Sequence, residues 1–238
     1  MKNLFVSFAI SIFILFISCS TPKKEDSYRI DGETHLKNIT MITEDGENAE
    51  AYLSFDESKL SFQATFGELE CDQIFTMNID GTDKRMMSTG KGRTTCAYYL
   101  PGDDRVIYSS THLADENCPP EPDRSKGYVW QLYNSFDIFS VKTDGTGLIR
   151  LTDSGGYDAE ATVSPNGDRI VFTSMRDGDP EIYVMDIDGS NQTRLTFEKV
   201  TTADHSFLQT EAKLFSDPAD PKQRKNSLIM MNLLSMGS

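Results

Sequence analysis

The sequence predicts an all-β chain built from a repeated four-stranded unit. Two observations carry this expectation. Short runs of β-branched and aromatic residues alternate with Asn-Gly, Asp-Gly and Pro-containing turns, and the same runs return in the same order several times. The clearest unit spans residues 156–197. Its strands are expected at 159–163, 169–174, 181–186 and 193–197. The turn Ser164-Pro165-Asn166-Gly167-Asp168 joins the first two, a loop at 176–180 follows, and Asp188-Gly189 opens the last turn. Pro and Gly supply the φ values that tight turns need, and the residues between turns suit a pleated, half-buried surface.

Residues 54–62 and 100–108 repeat the pattern of 164–172. Residues 73–82 and 137–146 repeat that of 181–190, and Ala49-Glu50-Ala51 matches Ala159-Glu160-Ala161. A four-stranded unit recurring at this period is a β-propeller blade. Blades are expected at about 47–88, 92–153 and 156–197. Three cannot close a disc, since propellers use about 4–8, so an incomplete or truncated disc is expected. These residues resemble the TolB-like β-propeller repeat family, with its SPDG-x-x-I-x-F and I-Y-x-M-x-x-DG patterns. The resemblance covers residues 36–197. It implies protein–protein interaction at the bacterial outer membrane, not membership of the Tol–Pal machinery. TolB proper carries a domain before its propeller for which the short tether here leaves no room.

The chain has 238 residues, with 23 basic and 37 acidic side chains, for a net charge of −14. That balance repels phosphate backbones and argues against a nucleic-acid partner. At the N-terminus, Lys2 precedes an apolar run over 4–17 that is short for a bilayer span and ends Phe16-Ile17-Ser18-Cys19. This looks like a bacterial lipobox, so residues 1–19 are expected to be a lipoprotein signal peptide, with Cys19 lipidated and anchored in the membrane; the alternative is an ordinary signal peptide that contains a cysteine. Ser20 after the cysteine, by the same resemblance, favours the outer membrane, facing the periplasm or the cell surface. Residues 20–35 are polar and read as a flexible tether. Residues 36–42 are β-like and stand where the family has an orphan outer strand.

In a propeller, the strand 1–2 and 3–4 turns lie on one face, and the 2–3 loops and blade-to-blade connections on the other. The first face here holds only short turns. The second is expected to hold Cys71, Cys96, His112, Cys118, the Asp158/Glu160 pair and an insertion in blade two, ADENCPPEPDRSKGYVWQLYN, at 114–134. Function is expected there, because loops on a rigid scaffold commonly carry it. Tyr128, Trp130, Tyr133 and Phe136 follow a Pro-rich segment and are either binding anchors or a cap folded onto the disc. Asp158 and Glu160, with Asn48 and Glu50 in blade one, begin inner strands near the axis. They either ring a channel that binds a cation or basic ligand, or bond to neighbouring backbone.

An oxidising envelope favours a disulfide, and adjacent blades suggest Cys71–Cys96, with Cys118 left over. A zinc site of three cysteines and His112 fits no standard spacing, and the Asp-Gly segments have the glycine misplaced for a calcium loop. No metal, cofactor or catalytic residue is assigned. G-x-S-x-G, H-E-x-x-H and phosphate-loop motifs are absent. The expected function is therefore a non-catalytic protein-binding or scaffold lipoprotein of the cell envelope. The alternative is a propeller hydrolase or lyase acting on glycan or peptide, for which His112, Asp158 and Glu160 are the only candidates. Beyond Phe197 the repeat stops. With codons chosen within the degeneracy, Val200 onward read in a shifted frame gives GYDGGPFFSPDGSKIVF, the opening of another blade. Residues 198–238 are thus expected to be an out-of-frame tail.

Overall fold

A computed structural model describes residues 31–36, 39–125, 127 and 131–197. The expectations for Cys19, Tyr128, Trp130, the signal peptide and the tail fall outside these residues. Contacts divide the chain at Met41. In the first unit, the Glu33 carboxylate accepts the backbone N–H groups of His35 and Leu36, which hold its pKa low.

Among its described residues the second unit contains three antiparallel four-stranded sheets, each in simple sequence order. Blade one is β1 (Glu47–Leu53), β2 (Lys59–Thr65), β3 (Gln73–Asn78) and β4 (Arg85–Met86). Blade two is β5 (Thr94–Tyr99), β6 (Arg105–Ser110), β7 (Asp137–Lys142) and β8 (Ile149–Arg150). Blade three is β9 (Asp158–Val163), β10 (Arg169–Ser174), β11 (Glu181–Asp186) and β12 (Thr193–Arg194). Among the described residues there is no helix. The sequence-based bounds hold at β10 and β11. β12 is two residues rather than five, and the stretch 36–42 forms no strand among its described residues. Ile42 instead packs as an isolated apolar residue on the cluster formed by Phe62, Ala64, Phe75 and Met77 of blade one.

The period-2 alternation of blade two explains how the blades stack. Val106 and Tyr108 of β6, with Phe139 and Val141 of β7, pack on Ile74 and Met87 of blade one. The intervening Ile107 and Ile138 face the other way, onto Ile170, Phe172, Tyr183 and Met185 of blade three. Each face of the sheet thus buries one parity of the strand, as alternation dictates. At the first face, the Asp103 carboxylate accepts Phe55 N–H and Asp56 N–H at 2.8 and 3.0 Å, tying turn to turn between blades one and two. Gly167 sits in the corresponding turn of blade three at φ +72°, and a Cβ there would lie 2.1 Å from Pro101 Cγ. Only glycine allows that approach.

The Asp-Gly turns repeat one device. Asp80, Asp144 and Asp188 each accept the backbone N–H two residues on, from Thr82, Thr146 and Ser190, at 2.8–3.0 Å. Hydrogen bonds from those same residues, by side chain and backbone, hold each aspartate pKa low. These carboxylates cap turns, which accounts for their recurrence.

Candidate binding face

The inner strands carry a second repeated device. In β1, β5 and β9 the pairing register slips by one residue, so that two inner-strand residues oppose one on the next strand. The pairs are Glu50-Ala51, Cys96-Ala97 and Glu160-Ala161, opposite the rings of Phe62, Tyr108 and Phe172. The first member of each pair has positive φ: 51° at Glu50, 46° at Cys96 and 57° at Glu160. Non-glycine residues adopt this conformation at a cost, and a bulge re-aims its side chain. Here the three re-aimed side chains meet. Cys96 Sγ lies 2.9 Å from Glu50 Oε2 and 3.0 Å from Glu160 Oε2, and Tyr157 Oη donates to Glu160 Oε1 at 2.7 Å. The stacked rings of Tyr52 and Tyr98, with centroids 4.0 Å apart, stand two residues beyond Glu50 and Cys96 on the same strands.

The chemistry of this cluster follows from proton supply. Burial pushes the Cys96 thiol pKa up, and the neighbouring carboxylates push it further. It therefore stays an S–H donor. One S–H serves only one of two carboxylate oxygens at a time. Burial, then the charge of Glu160, raises the Glu50 pKa to about 7. A protonated Glu50 relieves the repulsion and completes the hydrogen bonding.

This geometry corrects the disulfide expected from the sequence. Cys96 is a buried free thiol held between two glutamates, and Cys71 is bonded to Cys118, with Cα atoms 6.0 Å apart. Cys71 and Cys96 do stand on adjacent blades, but the bulge turns Cys96 into the inner-strand cluster. The bond to Cys118 clamps the insertion of blade two onto blade one. Near the clamp, Gly92 at φ +60° leaves no room for a Cβ, which would lie 2.7 Å from His112 N, and its carbonyl accepts Gln73 Nε2 at 2.7 Å.

The remaining candidates separate. Asp158 is fully buried and pairs with Arg176 at 3.1 Å while accepting Ser154 Oγ at 2.7 Å. It is a structural ion pair inside blade three, not a partner of Glu160. His112 packs on the Phe139 ring and contacts Ser110 Oγ at 2.8 Å, and burial lowers its pKa. Tyr133 donates to Pro120 O at 2.6 Å across the insertion and contacts Phe136. Asn48 Nδ2 bonds Asp45 O rather than entering the cluster.

Between the clamped insertion and the inner strands lies an open cleft of about 610 Å³, including solvent at its mouth. Tyr133, Phe136 and Tyr157 form its apolar wall; Gln63, Asp72 and Thr95 stand among its polar groups. Asp72 accepts Thr65 Oγ1 and Gln63 Nε2, and Gln63 Oε1 accepts Thr95 Oγ1. Arg93, Glu121 and Arg124 complete its charged lining. Sequence inspection passed over Arg93, Gln63 and Asp72, which no motif marks. The recurring x-Ala pairs of the inner strands were the available signal for Cys96.

The sequence pattern of the TolB beta propeller domain matches residues 121–235, running on past Phe197. The structure of a putative TolB from Agrobacterium tumefaciens superposes with a TM-score of 0.50 at 22% identity, covering 65% of this chain and 51% of that one. The chain has a TolB-like β-propeller fold. A TolB homolog of Chlorobium luteolum is 40% identical over 58 residues, which are 24% of this chain and 13% of that protein. An uncharacterized protein of Agrobacterium fabrum is 29% identical over 126 residues, 50% of this chain and 36% of the relative. The Tol-Pal system protein TolB of Geobacter sulfurreducens is 45% identical over 60 residues, 25% of this chain and 14% of that one. The chain thus spans 13 to 36% of the length of these curated relatives.

Proposed function

We propose that this TolB-like propeller is a non-catalytic protein-binding module of the bacterial cell envelope, attached to the outer membrane by lipid at Cys19. The observation that carries the proposal is the clamped insertion. A disulfide fixes a Pro-rich loop over a cleft with an aromatic wall, on the face where the short repeated turns are absent. A preorganised loop with aromatic anchors reduces the ordering cost of association. One relative is named a TolB homolog and another the Tol-Pal system protein TolB, and this likeness supports the envelope setting proposed here.

The alternative of a propeller hydrolase or lyase draws on the raised carboxyl of Glu50 beside Glu160, since perturbed carboxyl pairs mark acid–base sites. Against it, the Cys96 sulfur occupies the space between the two carboxylates. His112 and Asp158 are committed to Phe139, Ser110 and Arg176.

Two measurements test the proposal. A fatty-acid probe supplied to cells is expected to label the wild type and not Cys19→Ser; equal labelling of both would remove the anchor. Capture from envelope extract is expected to recover a protein partner with the wild type, and several-fold less of it when residues 119–125 are replaced by a Gly/Ser linker. Undiminished capture would remove the insertion from the binding surface.

A further inference from the structure

Arg93 stands just before β5, where the connection from blade one arrives, with its backbone N–H on Thr111 Oγ1 at 2.9 Å. Its side chain is only 24% exposed and lines the cleft. Nη2 meets Glu121 Oε1 of the insertion, whereas Nε is buried without a partner. The Nε–H and the neighbouring Nη2–H of a guanidinium form one edge that matches both oxygens of a single carboxylate. Glu121 occupies half of that edge. Its other oxygen is drawn away to Arg124 Nη2 at 3.4 Å, so one carboxylate is divided between two arginines. Glu121 is itself 61% exposed, so little holds it in place beyond these contacts. A buried N–H donor is costly to leave unpaired.

We infer that the cleft is a carboxylate-recognition site for a partner peptide, in which Arg93 takes the ligand carboxylate through Nε and Nη2 and Glu121 is the intramolecular occupant it displaces. Glu121 then keeps Arg124. Tyr133, Phe136 and Tyr157 supply an apolar wall for the stem that carries the carboxylate. Asp72, in the same cleft, is engaged by Thr65 and Gln63; its charge selects for a ligand with one carboxylate rather than two. The inference rests on the second face being a binding surface and adds the chemical class of what is bound.

The test follows the Arg93 Nε–H resonance of the ¹⁵N-labelled mature protein. Three probes are titrated: a tripeptide blocked at both ends with a central glutamate, an acetylated alanine tripeptide with a free C-terminus, and the blocked tripeptide with a central glutamine. One of the two carboxylate probes is expected to shift this resonance, and which one distinguishes an acidic side chain from a chain terminus. Glu121→Gln is expected to tighten that probe by up to about fivefold, the worth of an exposed ion pair. Arg93→Lys, which keeps the charge and loses the edge, is expected to weaken it about tenfold, read by titration calorimetry on both proteins because the variant lacks the reporting resonance. The glutamine probe is expected to leave the resonance unmoved. An Arg93 resonance in Glu121→Gln that responds to no carboxylate probe, or equally to the glutamine probe, would overturn the assignment, as would full-strength binding by Arg93→Lys. If the probes fail while partner capture still depends on the insertion, only the carboxylate assignment falls.

Discussion

Breaking the Cys71–Cys118 bond, by reductant or as the Cys71→Ser/Cys118→Ser double variant, is expected to lower the thermal midpoint by roughly 10 °C. The bond closes a loop with a sequence separation of 47. In the chain-entropy model, a loop of that length restricts the unfolded state by roughly 4 kcal/mol. The effect also has a local component, because the insertion loses its attachment to blade one. Calorimetry with and without reductant measures it, and peptide mapping without reduction should link the Cys71 and Cys118 peptides. A midpoint unmoved by reductant, or a Cys71–Cys96 peptide in the map, would contradict the disulfide seen here. Cys96→Ser is the control and should leave the reductant effect intact.

Stability is expected to fall as the pH rises through neutrality, and Glu50→Gln should abolish most of that fall. The Glu50 pKa is raised from an ordinary 4.5 to about 7 in the folded protein. The folded state therefore binds more protons than the unfolded state between those values. Its stabilisation is complete below about pH 4.5, declines as the pH rises, and is lost above about pH 7, amounting to up to about 3 kcal/mol. Glu160, Asp72, the Cys96 thiol and the Tyr52 and Tyr98 hydroxyls are the titratable groups around this carboxyl. Glutamine copies the neutral acid and still accepts the Cys96 S–H. The variant should match the wild type near pH 5 and melt roughly 6–10 °C higher at pH 8. Surface aspartates with lowered pKa values, such as Asp56, are ionised in both states above about pH 5 and add no slope through neutrality, so the difference isolates Glu50. A variant that melts lower than the wild type at pH 8 would mean that the charged form of Glu50 is the one the fold needs.

The blades were legible because their signals are local. Turn chemistry at Ser164-Pro165-Asn166-Gly167-Asp168 and Asp188-Gly189, with the β-branched runs between, sets β10 and β11 to the residue. The placement of Cys96 was not legible. A register slip in β5 is settled by how Cys96-Ala97 meets the Tyr108 ring across the sheet, and no residue type announces positive φ at a cysteine or a glutamate. The expected Cys71–Cys96 bond failed for that reason: blade adjacency was right and side-chain direction was wrong. Asp158 and Glu160, two residues apart, read as a pair because a regular strand places i and i+2 on one face. The bulge at Glu160 breaks that rule and sends one to Arg176 and the other to Cys96. The cleft needed the third dimension altogether, since Arg93 and Glu121 are separated by a strand pair and the first part of the insertion.

The central claim is that the face bearing the insertion is the binding surface, and site-specific photo-cross-linking in living cells tests it most directly. A photoreactive residue at Gln131 lies beside the cleft, and one at Asp144 lies in a capped turn of the opposite face. Cross-linking from position 131 to an envelope protein, with none from position 144, is the predicted result. Cross-links from position 144 with none from 131 would contradict it.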